Sequence, residues 1–206
     1  MSELLRDIKE FRDVSVYTDL PEEYVDGLTG CIQSAFGGGV TVEDGFSHMQ
    51  GDQILIGFDS NRDGKMEIVG FSSTSIQASE NVEGGSTLLL TNRHAYFAAA
   101  AISKSRQGHG LYGALNDRRM DFVRENELES IVTRTQNPRV EQSITQALDR
   151  LVEARSIRSF KIARQLIKGV YGGMLTDSRP AASHVSYDNI DYERGDAHLI
   201  NWQLFS

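Results

Sequence analysis

With 206 residues the chain is long enough for one full-sized domain with a core of its own. Its 39% hydrophobic and 24% charged residues set it apart from disordered, collagen-like and membrane-embedded chains. A formal net charge of -8 repels phosphate groups and argues against a nucleic-acid partner.

Residues 1–10 mix charges among their apolar positions and lack the unbroken apolar centre of a signal peptide. No later stretch reaches the roughly 20 apolar residues of a membrane span. Cys31 is the only cysteine, so no disulfide can form within the chain and a reducing compartment is favoured. These features predict a cytoplasmic protein with no membrane partner.

Alternation over 13–18 predicts a short strand. Pro21, Glu22 and Glu23 then form a helix entry, with the acids facing the positive end of the dipole, and the helix is expected to run to about Phe36 with Cys31 in its core face. Gly37, Gly38 and Gly39 end it, and 42–50 reads as a second short helix. The β-rich runs 53–58 and 66–76 flank a polar loop and predict a hairpin. In that loop Asp59, Asn61, Asp63 and Gly64 take the first, third, fifth and sixth places of an EF-hand calcium loop. The twelfth place is Gly70 where a bidentate Glu is required, and the flanks are strands, so the loop is read as a turn and no metal is expected.

After the polar loop 79–86, the long apolar run 94–102 is expected to be the central strand. Helical spacing follows over 111–124, with Leu111, Leu115, Phe122 and Val123 apolar, and 130–135 is the next strand. Asn137 is placed as N-cap and Pro138 as first residue of a helix through about Leu151. Arg155, Arg158, Lys161, Arg164 and Lys168 recur every three or four residues and predict a third helical stretch with a basic face. Such a face is by default solvated, its sharper use being help with a ligand phosphate or an acidic partner. The tail is read as an irregular segment around Gly169 and Pro180, then a closing strand over 198–205. With no internal repeat or linker, 1–206 is expected to be a single domain, with 152–206 as a C-terminal elaboration.

The chemistry-bearing stretch lies where the central strand turns into a helix, at Ser105-Arg106-Gln107-Gly108-His109-Gly110. Small residues in the strand allow burial on both faces. Gly108 and Gly110 let backbone N–H groups approach a bound phosphate without a Cβ in the way. Gly108, Gly110 and Gly113 also satisfy the dinucleotide pattern Gly-x-Gly-x-x-Gly. That reading fails on context, because the next strand ends in Thr133-Arg-Thr135 with no acid to hold a ribose, and the upstream half is hairpin-like. Gly113 is then read as a packing position in the helix.

The same stretch resembles the signature of the GCN5-related N-acetyltransferase (GNAT) superfamily, Gln/Arg-x-x-Gly-x-Gly/Ala between a central strand and a helix. Both glycines match; Ser105 stands at the first position, with Arg106 adjacent. The element order over 13–151 is also similar to the GNAT plan. The resemblance implies an α/β fold with a mixed, mostly antiparallel central sheet flanked by helices. It further implies acetyl-CoA as cofactor, with the pyrophosphate on the N–H groups of Gln107, Gly108, His109, Gly110, Leu111 and Tyr112. The pantetheine arm would run along Ala100, Ala101 and Ile102, and the thioester would lie beside Asn137, in the gap between the strands 94–102 and 130–135. Asn137 matches a family Asn that contacts the cofactor.

Acetyl transfer needs a neutral amine, a polarised carbonyl and a proton source for the leaving thiolate. Some GNAT members carry a base on the strand before the glycine turn, and counting back gives His94, or Tyr96 if the turn is two residues shorter. Alternation puts both on one strand face, and His94 has the better native pKa. The usual thiolate donor is a Tyr in the helix after Asn137. Here 140–151 holds none, so Ser143 is the nearest hydroxyl in that helix and Tyr171 an alternative from the tail. The resemblance implies an N-acetyltransferase acting on a small-molecule or peptide amine by direct attack in a ternary complex. The missing Tyr raises the alternative of a non-catalytic acyl-CoA-binding or sensing module. The long tail is open to a role in the acceptor site or in a homodimer contact.

Overall fold

The computed structural model describes residues 13–18, 20–36, 51–60, 65–78, 93–170 and 187–206. Among them seven strands form one sheet: β1 (Asp13–Tyr17), β2 (Gln53–Ser60), β3 (Met66–Gln77), β4 (His94–Ile102), β5 (Ser130–Thr135), β6 (Ser159–Ile167) and β7 (Ala197–Phe205). Three α-helices accompany it: α1 (Val25–Phe36), α2 (Leu111–Glu125) and α3 (Pro138–Glu153). The strand order is β1-β2-β3-β4-β5-β7-β6, which puts β4 in the middle. The pairs β1/β2, β2/β3, β5/β7 and β6/β7 are antiparallel, and β4/β5 is parallel. This is the expected mixed, mostly antiparallel sheet with helices. The expected helix over 42–50, the glycine run 37–39 and the loop 79–86 lie outside the described residues. No helix among those described is long and apolar enough to cross a membrane.

The chain forms two compact units, Met1–Thr74 with Ala98–Arg118, and Ser75–Phe97 with Arg119–Ser206. In the first, alternation along β2 sorts its side chains onto two faces. Ile54 and Ile56 meet Leu28, Cys31 and Ile32 of α1, together with Phe71 and Ala101. Leu55, on the other face, meets Ile102 and Leu115. Leu28, Cys31 and Ile32 stand at i, i+3 and i+4, which makes them one stripe of α1. Pro21 precedes α1, but the first turn after it, Glu22–Tyr24, is a 3-10 turn. β3 and β4 approach closely at Gly70: a Cβ there would lie 3.3 Å from Ala101 O and 2.7 Å from Ile102 Cδ1, the movable end of that side chain.

In the second unit Ala95 and Phe97 of β4 pack with Met120 and Val123 of α2, Ile131 of β5, Ile144 and Leu148 of α3, and Ile200 and Trp202 of β7. Trp202 is wholly buried, and its indole N–H donates to Thr145 Oγ1 at 3.1 Å, so burial leaves no unmet donor. Burying each large side chain of this kind contributes roughly 1.5–3 kcal/mol. On the opposite sheet face Val132, Ile167 and Leu199 form a smaller cluster with Tyr96.

The expected third helical stretch is a correction: residues 159–167 are strand β6, paired antiparallel with β7 from Ser159↔Phe205 to Ile167↔Ala197. Phe160 and Ile162, two residues apart, both pack toward the Trp202 cluster, which is strand spacing. Helix α3 is ended before them by Arg155 at φ 56°, a left-handed residue that cannot continue a helix. The basic residues therefore share no single face. Lys161 Nζ lies 5.6 Å from the centre of the Phe205 ring, whereas Arg164 pairs with Glu141. On an edge strand such charges protect the unpaired backbone.

Candidate functional site

The glycine turn is built from the end of β4. Ser103 N–H donates to Val69 O at 2.8 Å, and a 3-10 turn over Lys104–Arg106 follows. Lys104 N–H donates to Ser34 Oγ at 3.0 Å, and the Arg106 guanidinium lies 2.8 Å from the Asp59 carboxylate. Thus Asp59, the first residue of the calcium-like pattern, lies on β2 and holds the turn; Asn61, Asp63 and Gly64 lie outside the described residues. Gln107 Nε2 donates to Ile102 O at 3.0 Å and folds the turn back on the strand end. His109 Nδ1 lies 3.1 Å from Gln107 O and is exposed.

Gly108 and Gly110 have φ of 83° and 79°, in the region where an L side chain is strained. A Cβ at either would meet nothing within 4 Å among the described residues, which leave open space in front of the backbone. Helix α2 starts at the next residue, and its first helical hydrogen bond is Ala114 N–H to Gly110 O at 3.2 Å. The N–H groups ahead of it point out of the helix end, where the dipole favours an anion. Leu111 and Tyr112 are half-buried and pack toward Ile102 and Leu115. Gly113 departs from expectation: a Cβ there would also meet nothing within 4 Å among the described residues, so none of them packs closely on it. The third glycine of a dinucleotide turn serves close helix–strand packing, and that demand is absent.

The parallel pairing of β4 with β5 runs through Ala95↔Ile131 and Tyr96↔Val132. At the next residue Thr133 Oγ1 donates to Phe97 O at 2.8 Å, a side-chain bond in place of a ladder bond. His94 is the first residue of β4 and is wholly buried. Tyr96 is half-buried, with the Arg134 guanidinium 5.8 Å from its ring centre. Ala100 is half-buried, and Ala101 and Ile102 are buried.

Asn137 caps α3 as expected. Its Oδ1 accepts from Arg139 N–H at 3.0 Å and its own N–H donates to Thr135 Oγ1 at 2.9 Å. The cap accounts for Oδ1 and leaves the amide Nδ2 as the group that suits a ligand contact. Ser143 is half-buried on α3. Tyr171 lies outside the described residues.

A second cluster was missed by sequence reasoning, because its members come from α3, β6, β7 and the segment before β7. Glu141 on α3 accepts hydrogen bonds from Arg164 of β6 and from Tyr187 Oη, the latter at 2.6 Å. His198, the partner of Thr135 in the β5/β7 register, stands edge to face with Tyr187 at 4.5 Å, and its Nε2 lies 3.1 Å from Asn189 Oδ1. Burial alone would raise the Glu141 carboxyl, but the bonds from Arg164 and Tyr187 and the Arg164 charge bring it below its usual value. Burial, with the Arg164 charge, lowers the His198 imidazole against the opposing pull of Glu141. Burial and the bond to Glu141 raise the Tyr187 phenol, so it stays a neutral donor. The one foreshadowing signal was the basic spacing through Arg164, read there with the wrong period.

Neither a family model nor a curated protein matches the sequence. Solved structures do match it. The NatC complex bound to Gag peptide and CoA matches with a TM-score of 0.53 at 14% identity, over 93% of this chain and 99% of that one. A Bacillus subtilis acetyltransferase in complex with CoA matches with a TM-score of 0.51 at 11% identity, over 94% of this chain and 100% of that one. At such identities the likeness is one of fold, and the fold is that of the GNAT N-acetyltransferases.

Proposed function

Because the chain has the GNAT fold, we propose that it is an acetyl-CoA-dependent N-acetyltransferase acting on an amine. The observation that carries this reading is the turn at Gly108 and Gly110, two left-handed glycines with open space before them at the start of α2. A pyrophosphate needs such a cradle of unobstructed N–H groups. Bound acetyl-CoA would supply the acetyl group as an activated thioester. The backbone from Gln107 to Tyr112 would hold its pyrophosphate, with Arg106 fixed beside the turn by Asp59. The backbone of Ala100, Ala101 and Ile102 would carry the pantetheine arm, although Ile102 O is already taken by Gln107. Asn137 would offer its Nδ2.

No covalent acetyl-enzyme is proposed. Cys31 is 3% exposed, and burial pushes its thiol up to about 12, so it is neither accessible nor ionised at neutral pH. The acceptor amine is therefore proposed to take the acetyl group directly in a ternary complex. His94 and Tyr96 remain the proposed bases on β4, and Ser143 the proposed proton donor on α3. Wholly buried His94 would have to act through water, and half-buried Tyr96 is the more accessible of the two.

The reading is tested by incubating the protein with acetyl-CoA and a panel of amines, polyamines, amino acids and peptides, and following free thiol. Release on an acceptor supports the transferase. A second reading, an acyl-CoA-binding sensor, is favoured by the absence of any Tyr from the α3 sequence. Calorimetric binding of acetyl-CoA with no turnover on any acceptor would select it, and no binding at all would sink both.

A further inference from the structure

A groove of about 680 Å³ opens beside α1 in the first unit. Tyr24, Phe58 and Ile68 give it an apolar wall. The Tyr24 and Phe58 rings stand edge to face with centres 5.4 Å apart. Two exposed carboxylates, Glu23 and Glu67, also line it, and no lysine, arginine or histidine is among its described lining residues. Ser103 lines it too; that residue is only 9% exposed, and its Oγ is buried with no hydrogen-bond partner among the described residues. Gly30 lines the groove and leaves it open, since a Cβ at that helical position would meet nothing within 4 Å among the described residues. A glycine inside a helix is otherwise unfavourable, so what Gly30 contributes is room.

These features define one ligand chemistry. Carboxylates and aromatic faces attract a cation and repel an anion. An apolar wall takes a hydrocarbon body, and a buried hydroxyl without a partner offers one hydrogen bond. We propose that this groove binds an organic ammonium with an apolar or aromatic body, the ammonium toward Glu23 and Glu67 and the body against Tyr24, Phe58 and Ile68. The site goes beyond the coenzyme reading and does not depend on it, because binding here needs no coenzyme and transfers no group.

Calorimetry without coenzyme tests it, using phenethylamine, neutral 2-phenylethanol and anionic 3-phenylpropionate as probes. Phenethylamine is expected to bind about tenfold more tightly than either isostere, because only it meets the carboxylates and rings as a cation. Glu23→Gln and Glu67→Gln are each expected to weaken it about threefold, the scale of an exposed charge pair. Gly30→Leu fills the groove from a helix position that favours leucine, and is expected to remain folded by circular dichroism and to lose binding. Equal affinity for the three probes, no binding at millimolar phenethylamine, or undiminished binding to folded Gly30→Leu would each overturn the proposal. If Gly30→Leu does not fold, the probe series and the two glutamine variants decide it. Acetyl-CoA binding measured on the same sample reports separately on the proposed activity.

Discussion

Thr133 Oγ1 donates to Phe97 O at 2.8 Å, so at the residue after Tyr96↔Val132 a side chain of β5 satisfies a carbonyl of β4 that a ladder N–H would otherwise meet. Thr133 is 3% exposed and Phe97 2%, so water cannot replace that bond cheaply. Thr133→Val keeps the shape and removes the donor. The variant is expected to lose about 1–3 kcal/mol, the cost of a buried carbonyl left unmet. Urea denaturation with an unchanged m-value checks it, and a loss below a few tenths would mean that another donor reaches Phe97 O.

Gly110→Val separates the conformational and ligand roles of the turn. At φ 79° valine is strained, while its Cβ meets nothing within 4 Å among the described residues, and the strain is expected to cost about 1–2 kcal/mol of stability. Loss of CoA binding well beyond that, read by calorimetry on the folded variant, is the expected outcome, because the side chain enters the space before the N–H groups. Gly113→Ala is the contrast. Its Cβ also meets nothing, so alanine is expected to stabilise α2 by up to about 1 kcal/mol while CoA affinity stays the same.

Much of the fold could be read in the sequence where local chemistry and tertiary packing agree. Asn137 and Pro138 mark the start of α3 because the cap and the fixed φ act within four residues, and Oδ1 of Asn137 does accept from Arg139 N–H. The glycine turn was legible for the same reason. Residues 159–167 were not, because basic residues spaced by three mimic a helix face, while the deciding contacts of Phe160 and Ile162 with the Trp202 cluster come from residues far along the chain. Gly113 was misjudged because a motif position carries no information on what stands opposite it. The Glu141 cluster was invisible, since no local spacing joins α3, β6 and the segment before β7.

That cluster sets an acid limit on stability. His198 has its folded pKa lowered by burial, so below the ordinary imidazole value of 6.5 the unfolded chain binds a proton that the folded one refuses, and stability falls with pH there. Glu141 is also lowered, so a second loss begins below its ordinary 4.5 as the unfolded carboxylate protonates first. Both therefore destabilise the fold in the same direction. Around His198 stand Glu141 of α3, Arg164 of β6 and Tyr187 of the segment before β7. Thermal melts from pH 8 to 4 are expected to show decline in two stages. His198→Gln should flatten the upper stage and leave the lower, and an unchanged upper stage would assign it elsewhere.

Tyr187→Phe probes the same cluster at fixed pH. It removes the 2.6 Å bond to Glu141 Oε2 while the Arg164 bonds to Oε1 remain. A bond to a charged acceptor contributes about 1.5–3 kcal/mol, and here Arg164 still holds the carboxylate, so a loss near the lower figure is expected. The Glu141 pKa should rise toward its ordinary value in the variant, moving the lower stage of the acid transition to higher pH. A stability loss without that shift would mean that Tyr187 acts through ring packing on His198 alone.

Asp59 and Arg106 offer the last test, because their ion pair bridges β2 to the glycine turn at 2.8 Å with both side chains partly exposed, at 25% and 32%. Exposure screens the pair, so a double-mutant cycle of Asp59→Asn and Arg106→Gln is expected to return only about 0.5–1 kcal/mol of coupling in stability. Its larger effect should fall on the ligand. Arg106 precedes Gln107, whose side chain folds the turn onto Ile102, and releasing Arg106 lets the N–H groups after it lose their common aim. Asp59→Asn is expected to weaken CoA binding about tenfold while the melting temperature changes by only a few degrees. Asp59 lies on β2 and is assigned no ligand contact, so a weakened affinity in this variant, at nearly constant stability, measures what positioning of the turn contributes. Equal affinity in Asp59→Asn and the parent chain would show that the turn holds its shape through Gln107 and the Ser103 bonds alone.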